Sequence, residues 1–321
     1  MIKKELKIPL EVEQLRALLR RLPSNHPKHS LIEEKFATGM AGYRGEQSLD
    51  YYLNLLEPRK FFAFHDLRLF HQSSYFQIDL LLLSPCYFFI IEVKNIKGTI
   101  YFDDKFDQMI RILDGKETGF PNPLVQVSLQ QEQFVKWLSN HKFPPVAVET
   151  LVVISHPSTI IKSSHSDPRL KQLIHNANLP SKIKQFDHAN KMEKLSTKDL
   201  RKLTSLLLKH HTPKTSNILQ KFNLSETDLL SGVHCPICYF VPMRRKHGLW
   251  NCPQCHLNSK DAHLNAIKDY SLLISETITN KQLRGFLQLT SRSISAHLLK
   301  KMNLKSTGVT KGSVYLLSQD G

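Results

Sequence analysis

The chain has 321 residues, 41% of them hydrophobic, which is ample for packed cores and too long for one average domain, so two or three domains are expected. Lysine and arginine number 44 against 28 acidic residues, and the net charge of +16 fits a polyanionic partner whose phosphates release counterions on binding. The opening MIKKELKIPLEVEQL has no long apolar core behind its lysines, and no apolar run approaches the roughly 20 residues of a membrane span, so neither a signal peptide nor a membrane partner is expected. Four of the five cysteines sit in two CxxC pairs, which favours metal ligation in a reducing cytoplasm over a disulfide framework.

Residues 1–58 carry helical spacing. It runs from Leu10 to Leu22, breaks at Pro23 to His29, and resumes from Leu31 to Met40. After Gly42 a third segment, Tyr43 to Leu56, sets Leu49, Leu53 and Leu56 on one face. From Phe61 the pattern turns strand-like through FFAFHDLRLF, YFQIDLLLLS, YFFIIEVKN and GTIYF. A helix is expected at about 124–139, then a buried strand at VAVETLVVIS. Helix, several strands, helix and strand predict an α/β core. The expected segments are an N-terminal helical stretch (1–37), the core (38–155), a basic, mostly helical connector (156–230), a cysteine-rich unit (231–258) and a small C-terminal unit (262–321).

Asp79 and Glu92 stand out because they are charged residues within strands that are otherwise apolar on both faces. The link Ser84-Pro85-Cys86 is short enough for a hairpin. A turn centred on Pro85-Cys86 pairs Leu83 with Phe88 and Leu81 with Ile90, which sets Asp79 opposite Glu92. Lys94, two residues on, shares a face with Glu92 because side chains alternate along a strand. Two carboxylates so placed can share a hard cation such as Mg²⁺ or Mn²⁺, which polarises a phosphate and lowers the pKa of water. A lysine beside them can orient that water or stabilise charge on the transition state. The plain alternative is a strand-end ion pair, which leaves one carboxylate without a counter-charge.

Asp79, a short gap and Glu92-Val93-Lys94 resemble the PD-(D/E)xK nuclease signature, with Ile78 where the proline of that name would stand. The wider set, GYRGE at 42–46, QIDLLLL at 77–83, IIEVKNIKG at 91–98 and NPLVQ at 122–126, resembles the nuclease-related domain family (NERD) over roughly residues 38–155. That resemblance implies a restriction-endonuclease-like mixed sheet flanked by helices, with Asp79 and Glu92 as metal ligands and Lys94 as the catalytic lysine. It adds Glu46, on the helix before the sheet, and Gln126, at the start of the following helix. Phe106 is the nearest candidate for an aromatic residue expected between the fourth strand and Gln126.

Cys235-Pro236-Ile237-Cys238 and Cys252-Pro253-Gln254-Cys255 are separated by thirteen residues. Each CxxC presents two thiolates from a tight knuckle, so Cys235, Cys238, Cys252 and Cys255 predict a closed, structural Zn²⁺ site, a zinc ribbon. Between the knuckles lie Arg244, Arg245 and Lys246, and no acidic residue occurs from Ser231 to Ser259, so this loop is a candidate phosphate-contacting surface. Beyond it, Thr279…Gln282 reads as a capping box, Thr290-Ser291 as a break, and Ile294, Leu298 and Met302 as the buried stripe of a second helix. The pair predicts a winged helix-turn-helix-like unit in which Arg292, Ser293, His297, Lys300 and Lys301 face nucleic acid. Lys305 to Leu317 would be a hairpin wing turning at Thr310-Lys311-Gly312. The alternative for this unit is a small helical cap.

Taken together, these readings predict a metal-dependent nuclease acting on nucleic acid, DNA before RNA, with the C-terminal modules holding the substrate. A non-catalytic DNA-binding protein on a degenerate nuclease-like scaffold is the alternative.

Overall fold

Strands that are apolar on both faces need cover on both sides, and the fold supplies it. The computed structural model describes residues 1–57, 60–103, 105–163, 167–308 and 312–317. The chain opens with β1 (Ile2–Lys4) and the helices α1 (Leu10–Arg21), α2 (His29–Gln47) and α3 (Leu49–Leu53). Then come β2 (Phe62–His71), β3 (Ser74–Leu83), β4 (Tyr87–Lys94), β5 (Thr99–Asp103), β6 (Gln108–Leu113) and β7 (Lys116–Pro121). The long helix α4 (Pro123–Asn140) leads to β8 (Ala147–Ile154), β9 (Ile160–Ser163), β10 (Leu173–His175), α5 (Leu179–Ala189) and α6 (Thr197–His210). The rest comprises α7 (Ile218–Lys221), β11 (Arg244–Lys246), β12 (Leu249–Asn251), β13 (Asn258–Ser259), α8 (Ala262–Leu273), β14 (Thr277–Thr279), α9 (Asn280–Phe286), α10 (Arg292–Lys301), β15 (Ser306–Thr307) and β16 (Val314–Leu316).

Two compact units result: Met1–Ile8 with Met40–Lys214, and Pro9–Gly39 with Thr215–Gly321. The stretches 1–37 and 156–230 are therefore each divided between the units. The first unit is mixed α/β. Its central sheet has the order β1-β2-β3-β4-β8-β10, antiparallel across β2-β3-β4 and parallel elsewhere. Leu81, Leu83, Phe88 and Ile90 pack with Val127, Phe134 and Trp137 of α4 and Leu203 and Leu207 of α6. Leu80, Leu82, Phe89 and Ile91 point the other way, onto Leu49 and Leu53 of α3 and Leu179 and Ile183 of α5.

The β3–β4 register is Leu83 with Phe88 and Leu81 with Ile90. Ser84 sets it: its hydroxyl donates to the Tyr87 carbonyl at 2.7 Å and accepts from the Cys86 and Tyr87 N–H groups. A second sheet, β7-β6-β5-β9, includes a β6–β7 hairpin that the sequence reading leaves unassigned. Its turn is Asp114-Gly115, with φ of 52° and 76°, the left-handed pair that suits two-residue hairpins. The helix expected to break at Gly42 instead continues as the 19 residues of α2. Nothing packs against Gly42 itself; close contacts one turn to either side hold the helix through it, Gly39 admitting Val12 and Gly45 admitting Asn95, whose nearest atoms would lie 2.7 Å and 2.6 Å from an added Cβ.

The second unit joins α1 and the start of α2 to the residues that follow Lys214. Leu15 and Leu18 of α1 pack with Ile218, Phe222, Leu272 and Leu273. Arg21 of α1 is fully buried and donates from Nε to Asp269 at 2.9 Å and from Nη1 to the carbonyls of Leu230 and Gly232. A second core contains both ribbon residues (Val233, Cys235, Trp250, Cys252) and residues of α8–α10 (Ala266, Tyr270, Leu283, Leu298). Strands β11-β12-β13 form the ribbon's sheet, and β14-β16-β15 flank the last two helices. The Thr279 capping box is present, and Ser291 caps α10. The buried stripe of α10 is Ser295, Leu298 and Leu299 rather than one built on Ile294, which is 37% exposed. Ser295 turns inward because its hydroxyl is taken up by Asn280 and the Arg292 carbonyl. Of the expected wing turn, Thr310 and Lys311 lie outside the described residues, while β15 and β16 pair antiparallel.

Candidate active site and metal centre

In β4, Ile90, Glu92 and Lys94 alternate onto the face covered by α4, and Asp79 follows Leu81 and Leu83 onto the same face of β3. Lys94 Nζ donates to Glu92 Oε1 at 2.6 Å and to Gln126 Oε1 at 3.1 Å. The other Glu92 oxygen accepts from Gln130 Nε2 at 2.9 Å. Asp79 Oδ2 accepts the Val93 N–H at 2.9 Å. Glu46 comes from α2, which Gly45 lets in close. A Cβ at Gly45 would meet Asn95 Cβ at 2.6 Å and Ser155 Oγ at 2.8 Å. Asn95 Nδ2 also donates to the Ala41 carbonyl at 2.7 Å, docking α2 on the segment that leaves β4.

The strand-end ion pair is therefore real, and it leaves charge over. Burial pushes Asp79 well above the usual carboxylate range, and repulsion from Glu92 and Glu46 adds to it; the Val93 N–H and Lys94 pull it back in part. Glu46 is raised to about 7 by burial, then by Asp66 and Glu92, against the pull of Lys4 and Lys94. Asp66 and Lys4 are site-edge residues that the sequence reading missed. Asp66 stands at φ 49°, a left-handed interruption of β2 between the pairs His65–Leu80 and Leu67–Ile78, directly across from Asp79. Lys4 Nζ donates to the His65 and Asp66 carbonyls, each at 2.8 Å.

Gln130 was missed too, although a glutamine one turn after Gln126 on an apolar stripe is a readable signal. Phe106 is an exposed residue of the β5–β6 link. Its N–H is held by Asp103 and its ring lies under the Lys105 ammonium, so it is not among the contacts of the carboxylates.

The donor set suits a hard divalent cation. Oxygen atoms predominate, and a 2+ charge would offset both the burial and the mutual repulsion that raise Asp79 and Glu46. Glu46, Asp79 and Glu92 are not drawn as tightly as the cysteines, whose four sulfurs alone among the described residues form a metal-sized set, all within 4.8 Å of one another.

In that cluster Cys235 Sγ lies 3.4 Å from Cys255 Sγ, and Cys238 Sγ 3.5 Å from Cys252 Sγ. Tetrahedral zinc with thiolates at about 2.3 Å spaces its sulfurs by about 3.8 Å, so the cluster fits a small zinc ribbon. The two knuckles repeat one geometry. The Tyr239 and His256 N–H groups donate to the Cys235 and Cys252 carbonyls, each at 3.0 Å, with φ near 60° at both residues.

Of the basic residues, Arg244 and Lys246 are exposed on β11, and Arg292, His297, Lys300 and Lys301 are exposed on α10. Arg245 is half-buried, and it lines one cleft together with His297 and Lys301.

Residues 41–155 match the family model of the nuclease-related domain. This span is a nuclease-related domain. It holds Glu46, Asp79, Glu92, Lys94, Gln126 and Gln130, while Lys4 and the cysteine cluster fall outside it. An uncharacterized protein of Bacillus anthracis is 22% identical over 161 residues, which are 50% of this chain and 73% of that protein. No solved structure matches the chain. Among the described residues no helix is long and apolar enough to cross a membrane.

Proposed function

We propose that the protein is a Mg²⁺- or Mn²⁺-dependent nuclease that hydrolyses phosphodiester bonds, in DNA before RNA. The carrying observation is the charge imbalance at the end of the β3–β4 hairpin. Asp79 and Glu46 are both raised by burial and by neighbouring carboxylates, with Lys94 already committed to Glu92 and Gln126. Asp79 and Glu92 would hold the ion, with Glu46 as a further acidic residue of the site. When bound, the ion supplies Lewis acidity towards the phosphodiester and acidifies water. Lys94 would orient water and stabilise the negative charge that develops on the phosphate. Gln126 fixes that ammonium and Gln130 fixes the Glu92 carboxylate, so neither group has to reorganise during reaction.

In the second unit, Cys235, Cys238, Cys252 and Cys255 would hold a structural Zn²⁺, and thiolate ligation fits a reducing compartment, the cytoplasm. Arg244, Arg245, Lys246, Arg292, His297, Lys300 and Lys301 would contact nucleic acid, with α9, α10 and the β15–β16 hairpin acting as a winged helix-turn-helix. The test is incubation of the full chain with linear, circular and single-stranded DNA and with RNA, with Mg²⁺ or Mn²⁺ and with EDTA. Cation-dependent cleavage lost in Asp79→Asn and Lys94→Ala supports the reading. Nucleic-acid binding without cleavage under any of these conditions would assign the core to a non-catalytic scaffold.

A further inference from the structure

Within the second unit, the ribbon hairpin and α10 enclose a cleft of about 470 Å³. From the ribbon side come Arg245, His247 and Lys260, and from α10 come Ser293, His297 and Lys301. The hairpin turn that brings His247 there is His247-Gly248, with φ of 45° and 78°, so the turn is fixed by its own backbone. On α10 the three residues are spaced i, i+4 and i+8, one stripe facing one way.

Arg245 is the anchor of this cleft. Its guanidinium lies over the Trp250 ring, 4.9 Å from the centroid, and Trp250 is in turn fixed by donating from Nε1 to His263 Nδ1 at 3.1 Å. Stacked in this way the fork is held in one plane, yet Arg245 Nη1 is buried and has no hydrogen-bond partner among the described residues. A buried N–H of a charged group left without an acceptor is costly, which points to a missing acceptor. No carboxylate lies in the ribbon to serve as its counter-charge, since Ser231 to Ser259 contains none. The nearest acidic residue in sequence, Asp261, accepts from Ser259 Oγ at 2.8 Å. The cationic field is felt by a neighbour as well. His263 is held at about 4, chiefly by burial and then by Arg245 and Lys301.

We propose that this cleft is a composite phosphate site, in which Arg245 of the ribbon and Lys301 of α10 grip one backbone phosphate of a nucleic acid, with Ser293 and His297 as further hydrogen-bond donors. It rests on the nucleic-acid reading of the second unit and sharpens it: the ribbon and the helix are one binding surface, joined through a shared anion. Of the basic residues read from the sequence, Arg245, His297 and Lys301 then act together, while Arg244, Lys246, Arg292 and Lys300 act singly from the periphery.

The test uses the full, zinc-loaded chain in the Asp79→Asn background without Mg²⁺, titrated into a short labelled duplex over a range of salt. Arg245→Gln and Lys301→Gln should each weaken binding about tenfold. Each should also flatten the salt dependence by roughly the 0.9 expected for one phosphate contact. The double variant should lose much less than the product of the two, because both grip the same anion. Lys209→Gln, which removes an exposed charge outside the cleft, should change little. Zinc content is read for every variant; should Arg245→Gln lose zinc, Ser293→Asp, which sets a carboxylate at the exposed mouth of the cleft, must weaken binding instead. Fully multiplicative losses, or losses no larger than that of Lys209→Gln, would overturn the proposal. So would inorganic phosphate binding that depends on Arg245 while duplex binding does not. Cleavage by the wild-type chain in Mg²⁺ is read separately, so a nuclease that ignores Arg245 contradicts the cleft and leaves the active-site reading standing.

Discussion

The carboxylate cluster of the first unit and the cysteine cluster of the second are built in opposite ways. Four sulfurs lie within 4.8 Å of one another on two repeated knuckles, each thiol matched by another, with no polar side chain of another kind in the set. Such a site is closed, and its energy goes into folding. Glu46, Asp79 and Glu92 are looser, come from three elements, and carry more negative charge than Lys94 can offset. Burying that surplus charge costs stability, the reverse of a site whose ligation drives folding. The contrast makes separate demands on mutation, pH and metal.

The largest expected difference is in activity. Asp79→Asn or Lys94→Ala should lower cleavage by about a thousandfold or more while leaving duplex affinity within a fewfold of wild type, measured by gel assay and by anisotropy. Cys238→Ser should do the reverse, sparing the fold of the first unit and disrupting the second. Because ribbon cysteines share a core with Leu283 and Leu298, loss of zinc should expose α8–α10 as well as the ribbon to hydrogen exchange. The metal contributes about 10–16 kcal/mol in comparable isolated sites. Protection of α8–α10 that survives zinc removal would show that the two cores are separable.

A smaller effect concerns pH. Glu46 is raised to about 7 when folded, by burial first, so it binds its proton more tightly in the folded state than in the unfolded one. In metal-free protein its contribution is therefore complete below about pH 4.5 and is lost as pH rises through about 7, a change of about 3 kcal/mol at most. Glu46→Gln should abolish that slope in urea unfolding measured at pH 5 and pH 8. A slope unchanged by the substitution would place the imbalance elsewhere. Smallest is Gly45→Ala, which forces α2 off Asn95 and Ser155; cleavage should fall about tenfold with the zinc site untouched.

Much of this was legible in sequence because local chemistry fixed it. Ser84-Pro85-Cys86 allowed one register, and that register carried Asp79, Glu92 and Lys94 to one face. The two CxxC knuckles are likewise set by their own backbone hydrogen bonds. The β6–β7 hairpin was readable and missed, since Asp114-Gly115 between apolar alternations is a strong hairpin signal. Gln130 could have been found from its spacing to Gln126. Lys4 and Asp66 could not: a three-residue edge strand meets its partner about sixty positions away, and the left-handed turn at Asp66 is a property of the assembled sheet. For the same reason nothing local announced that α1 belongs with the C-terminal residues, a placement fixed by Arg21 and Asp269.

The central claim is that Asp79, Glu92 and Glu46 form a site whose surplus negative charge is answered by a divalent cation. Titration calorimetry of Mn²⁺ into the zinc-loaded full chain near pH 7, repeated in buffers of different ionisation enthalpy, tests it directly. Wild-type protein should bind Mn²⁺ and release protons, because the raised Asp79 and Glu46 must give theirs up, and Asp79→Asn should bind far more weakly. Absence of Mn²⁺ binding, or binding that is indifferent to Asp79→Asn and independent of buffer, would contradict the account.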